Sequence, residues 1–213
     1  VTTDAPPPDG PVTPSGPRWL NPYVIAFLVG VIFLTVMPRL QKRFLKAPPP
    51  IAPLGEWTLS TVDDGHPFGS AQLMGKVVLF SFVPAPCDER CVEAQRAFGR
   101  GLEHTDDLGD GVHFVSLVRQ DAAPAVRALA LGRWQLVTGP DDKLAPVLAS
   151  FHAAWATRGG FDAGSTVAEQ VALPAFALVD QHGMVRDFWR ADNAGRGNAI
   201  NAARLLAAHG PNP

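Results

Sequence analysis

The chain has 213 residues, 46% apolar and 18% charged, with a formal net charge of −2. At roughly 150 residues per domain, that length holds one domain and some extra chain. The near-neutral charge leaves no footprint for nucleic acid, and two cysteines are too few for a disulfide framework.

The extra chain lies at the N-terminus. Residues 1–18 are dense in proline and glycine and poor in apolar mass, the composition of a disordered tail. Residues 19–38 follow, with no charge from Trp19 to Met37. At about 1.5 Å per residue, a helix of that length just spans a hydrocarbon core of roughly 30 Å. The stretch therefore reads as one transmembrane helix, with Trp19 and Tyr23 at an interface and Pro22 in the first turn. It is longer than a signal-peptide core and no small-residue cleavage motif directly follows, so a retained anchor is expected. Arg39, Lys42, Arg43 and Lys46 follow the span and Arg18 precedes it. By the positive-inside count, that places the C-terminal side in the cytoplasm. Residues 39–55 form a basic, proline-rich linker whose "APPPIAPLG" is a stiff spacer.

Residues 56–210 read as one soluble α/β domain. "EWTLSTVDDGHPF" alternates and turns at Asp64-Gly65, a hairpin pattern. "KVVLFSFV" is a near-continuous apolar run, as in a strand buried on both faces. "DERCVEAQRAFGRGLEH" has helical apolar spacing with acids in its first turn. "VHFVSLV" is a second buried strand, "PAVRALALG" a short helix and "RWQLVTG" another strand. "DDKLAPVLASFHAAW" is helical with an expected interruption at Pro146. "LPAFALVDQHGMVRDFW" makes two strands around a turn at Asp180–Gly183, and "NAINAARLLAAHG" closes the chain as an amphipathic helix. Alternating β and α elements imply a mixed sheet with helices on both faces. In such sheets functional residues gather beyond the carboxyl ends of central parallel strands.

"VPAPCDERCVEAQ" occupies that position and holds both cysteines, Cys87 and Cys91. Three readings compete: a structural disulfide, a redox dithiol, or half of a metal site. Residues i and i+4 of a helix have Cβ atoms roughly 5–6 Å apart, and a disulfide wants about 3.8 Å, which local adjustment at the helix start can close. The same pair can grip a soft metal. Loop-closure entropy argues against a purely structural bridge, since its benefit grows with loop length. A helix N-terminus favours a thiolate, while Asp88 and Glu89 oppose one. Pro174, before the strand that follows "VAL", is either a strand-initiating proline or a cis X–Pro bond.

Together, "DDGHPFGSAQLMGKVVLFSFVPAPCDERC", "FVSLV", "WQLVTG" and "FALVDQHGMVRDF" resemble the SCO/SenC proteins. These are membrane-anchored, thioredoxin-fold proteins that serve in assembly of the copper site of cytochrome oxidase. The resemblance covers about Leu54 to His209. It implies a thioredoxin-like mixed sheet flanked by helices, behind one N-terminal transmembrane helix. It also implies copper, as Cu(I), held by Cys87 and Cys91, and a respiratory oxidase copper subunit or another thiol protein as partner. Cys87, Cys91 and Pro174 are then the expected redox residues, and the domain faces the periplasm, against the flanking charge count. The chain departs from the family pattern at Val92, where proline is usual, and at Ala172, where the family has a histidine eight residues before the Asp of its "LVD" strand. "LPAF" is similar instead to the proline-preceded strand of thioredoxin-like reductases and peroxiredoxins. His152 is the substitute third ligand to consider. His182 lies roughly 15–20 Å away at the far end of its strand, and His66, His104, His113 and Met74 have no geometric claim. A metal-independent thiol–disulfide oxidoreductase and a non-catalytic docking subunit are the alternative functions.

Overall fold

The computed structural model describes residues 21–44, 47–129, 132–158, 175–190 and 192–209. The chain divides into two compact units, Val1–Lys46 and Ala47–Pro213.

The first unit holds helix α1, Pro22–Phe44. Its described side chains, which end at Met37, are exposed, including Tyr23, Phe27 and Leu34. The expected transmembrane span over 19–38 is thus met by a helix, but no helix among the described residues is long and apolar enough to cross a membrane. Trp19 and Leu20 lie outside the described residues, and beyond Met37 the sequence turns basic.

The second unit is a sheet between helices. Its elements are β1 (Ala52–Pro53), β2 (Thr58–Thr61), β3 (Pro67–Gly69), α2 (Ser70–Leu73), β4 (Val77–Val83), α3 (Glu89–Glu103), β5 (Val112–Val118), α4 (Ala123–Val126), β6 (Trp134–Thr138), α5 (Asp141–Arg158), β7 (Ala175–Val179), β8 (Met184–Arg190) and α6 (Asn193–His209). The strands lie in the order β1-β8-β7-β4-β5-β6-β2-β3. At the centre β4, β5 and β6 run parallel, with Val77 opposite Val112 and Phe114 opposite Trp134. β7 pairs antiparallel with β4, and β2 with β6.

Side chains alternate across a strand, and β4 feeds two core layers. Leu79 and Val83 join Phe98 of α3, Phe114, Phe176 and Ala203 of α6 on one face. Val78 and Phe80 join Val147 and Phe151 of α5 and Phe188 on the other. Aromatic rings anchor each layer: Phe98 lies 4.9 Å from Phe114, and Phe151 lies 5.0 Å from Phe80, centroid to centroid. Burial on both faces is why β4 and β5 read as nearly unbroken apolar runs.

Two local expectations change. α5 runs through Pro146 without interruption. The ring forfeits a backbone bond there, but Leu144 and Val147 on either side are buried and carry the helix across. The proline-rich spacer is partly structural, because β1 pairs with β8 and Leu54 is buried. Proline is tolerated at such an edge.

Candidate functional site

β4 ends at Val83, and the chain leaves it through Pro84, Ala85 and Pro86, the last joined to Ala85 by a cis peptide bond. Asp88 then caps α3, its carboxylate accepting from the Cys91 backbone N–H at 2.9 Å. This cap sets where the helix starts. Cys87 falls just outside the helix and Cys91 in its first turn. Freed from helical geometry, Cys87 comes to 5.3 Å from Cys91, Cα to Cα, and the two form a disulfide. Of the three readings, the metal half-site is not the state seen.

The two cysteines have different surroundings. Cys91 is buried in the layer that holds Val83, Phe98 and Phe176. Cys87 is half-buried at the edge of that layer, and Pro86, Asp88, Glu89 and Arg90 around it are exposed. Of the two sulfurs, that of Cys87 therefore lies on the more accessible side of the pair. The helix N-terminus stabilises negative charge at this position, and the carboxylates of Asp88 and Glu89 oppose it.

Beneath the pair lies a polar cluster that sequence reading missed. Gln95, one turn after Cys91, is buried with Ser81 of β4 and Ser116 of β5. Its Oε1 accepts from Ser81 Oγ at 2.9 Å and from Ser116 Oγ at 3.1 Å. The signal available was a serine interrupting each of two apolar strands, "LFSFV" and "FVSLV", together with a glutamine at i+4 from a cysteine.

The other expected site residues are not gathered at the cysteines. Pro174 and Ala172 lie outside the described residues. His152 sits on α5, whose buried residues belong to the core layer on the opposite face of the sheet from Cys91. It is half-buried, and that burial pushes its imidazole below the usual value. Among the described residues, no group of three or more His, Cys, Asp or Glu side chains is arranged to hold a metal ion. His182 is in the turn beyond β7, its backbone N–H donating to Asp180. His66 is exposed beside Asp64. His104 and His113 contact backbone oxygens of Arg100 and Asp110.

Searches against protein-family models and against curated proteins return no match. Solved structures do match. The chain is similar to BsSco, a member of the Sco family of cytochrome c oxidase assembly proteins in which a disulfide switch was identified. The TM-score is 0.58 at 16% identity, over 77% of this chain and 98% of that one. It is also similar to Bradyrhizobium japonicum ScoI with copper bound, with a TM-score of 0.51 at 16% identity over 71% of this chain and 98% of that one. A third match is the thioredoxin domain of a thiol-disulfide oxidoreductase from Bacteroides vulgatus, with a TM-score of 0.53 at 16% identity over 74% and 98%. The second unit therefore has the thioredoxin-like α/β fold, and its structural neighbours are Sco-family proteins and thiol–disulfide oxidoreductases.

Proposed function

We propose that this chain is a membrane-anchored, SCO/SenC-like protein whose Cys87–Cys91 dithiol delivers copper to, or keeps reduced the thiols of, a cytochrome oxidase copper site. The observation that carries the reading is the disulfide at the carboxyl end of the central strand β4, with Cys87 toward solvent and Cys91 backed by the core. In the thiol reaction, the Cys87 thiolate attacks one sulfur of a partner disulfide and releases the other as a thiolate. The Cys91 thiolate then attacks Cys87 in the mixed disulfide. Two electrons pass to the partner, whose two sulfurs take up protons, and the chain is left as its own disulfide. An external dithiol reverses the change.

Copper enters as cargo. Two thiolates suit the soft Cu(I) ion, and oxidation to the disulfide removes both donors. Ala172, standing where the family has a histidine, favours a site without a nitrogen donor. The same residue supports the second reading, a thiol–disulfide oxidoreductase with no metal role. Anchoring by α1 is supported by its exposed apolar residues, among them Phe27, Phe33 and Leu34. The domain then faces the periplasm, because long domains translocate largely regardless of flanking charge. A reporter fused after His209 tests that side, and a cytoplasmic signal contradicts it.

The function is tested by mixing the reduced full chain, loaded with Cu(I) in one arm and copper-free in the other, with the copper-free copper-binding domain of an oxidase, its site cysteines reduced in the first arm and oxidised in the second. Copper delivery predicts the appearance of the oxidase copper spectrum. Thiol reduction alone predicts new partner thiols without it. A partner left unchanged in both arms contradicts the proposal.

A further inference from the structure

Gln95 is 2% exposed and stands one helical turn after Cys91. Ser81 and Ser116 both donate to its Oε1, and their hydroxyl oxygens lie 2.5 Å from each other. Trp134 of β6 closes the group, its Nε1–H donating to Ser116 Oγ at 2.9 Å. Three central strands and α3 thus meet in one buried polar knot inside an otherwise apolar layer. The indole only donates, and each hydroxyl has one proton. Two protons therefore serve three oxygen–oxygen links, and the acceptor that terminates the chain is Gln95 Oε1. Without it, one buried hydroxyl loses its acceptor, which is costly in desolvated surroundings.

The position of this knot matters for the pair above it. Residues four apart on a helix share a face, so Cys91 and Gln95 project together into the layer. Interconversion of disulfide and dithiol moves the sulfurs. Cys87 lies outside the helix, whereas the backbone of Cys91 belongs to the first turn of α3, one turn before the residue through which the knot ties the helix to the sheet. We propose that Gln95 is a positioning residue: through Ser81, Ser116 and Trp134 it holds α3 in the rotation that sets Cys91 against Cys87, and so biases the pair toward the disulfide. The inference rests on the reading that the pair is reversibly reduced.

The test equilibrates the full chain in detergent with mixtures of glutathione and its disulfide, and counts protein thiols by alkylation and mass. Each exchange breaks the Cys87–Cys91 bond with two electrons and two protons from two glutathione thiols, which couple to their disulfide. Gln95→Met and the milder Ser81→Ala are each expected to lower the equilibrium constant for disulfide formation about tenfold, which is about 30 mV toward a more positive potential. Phe151→Leu, in the other core layer from Cys91 and the knot, is expected to destabilise oxidised and reduced forms equally and to leave the potential at the wild-type value. Wild-type potentials in both knot variants overturn the inference, as does an equal shift in Phe151→Leu. A wild-type chain that does not equilibrate with glutathione overturns this inference and the function together. One that equilibrates while the knot variants stay unmoved overturns this inference alone.

Discussion

Asp88 helps set where the two sulfurs meet. Its carboxylate takes the Cys91 N–H, so it fixes the first helical residue and leaves Cys87 outside. Asp88→Ala is expected to cost about 1 kcal/mol, the usual value of an N-cap, read from urea unfolding of the oxidised chain. His152 makes the opposite case. It lies in the other core layer from Cys91, so His152→Ala is expected to leave the Cu(I) stoichiometry of the reduced chain unchanged, and a lost equivalent in a copper titration contradicts that placement. The cysteine pair was legible in the sequence because the chain has only these two, placed between an apolar run and a helical pattern. The start of α3 was legible from the acids in its first turn, and its cap by Asp88 emerged only from the structure. Gln95 was not, since an isolated glutamine in a helix ordinarily faces water and only the facing serines of β4 and β5 show that this one does not.

At the level of elements, the strands and helices of the domain follow from period. β4 and β5 are apolar on both faces because they lie mid-sheet between two helical layers. The hairpin turns fall where Gly65 and Gly183 adopt positive φ, at +71° and +74°. Asp180 secures the second turn by accepting from the N–H groups of His182 and Met184. Less legible was β1, since proline-rich chain carries no periodicity and Ala52–Pro53 becomes a strand only by pairing with β8. Nor was the continuity of α5 visible, because Pro146 is a local breaker whose effect is overridden by packing. That packing centres on Phe151, whose ring contacts Phe80, Phe82 and Phe188. Phe151→Ala is expected to destabilise the domain by about 3–5 kcal/mol, measured as a lower urea midpoint. The cysteine pair should keep its redox equilibrium, since it belongs to the other layer.

For the whole molecule, two partly buried histidines give stability a pH dependence. His113 and His152 are both held below the usual 6.5, in each case first by burial and in His113 next by the charge of Lys76. As pH falls, the unfolded chain binds these protons before the folded one. Their contribution is therefore full above about 6.5 and is lost as pH drops toward the folded values. The urea midpoint is expected to fall between about pH 7.5 and about pH 5.5, and to fall less in a His113→Gln/His152→Gln variant. The larger claim is that this thioredoxin-like domain holds a reversible sulfur pair whose redox state decides whether Cu(I) is bound. It is tested most directly by titrating the full chain with Cu(I) against a colorimetric chelator, in reduced and oxidised form, beside Cys87→Ser and Cys91→Ser. The account predicts one Cu(I) per reduced chain, none on the disulfide form, and none tightly held by either single-serine variant. Equal copper binding in the oxidised chain or in the serine variants would contradict it.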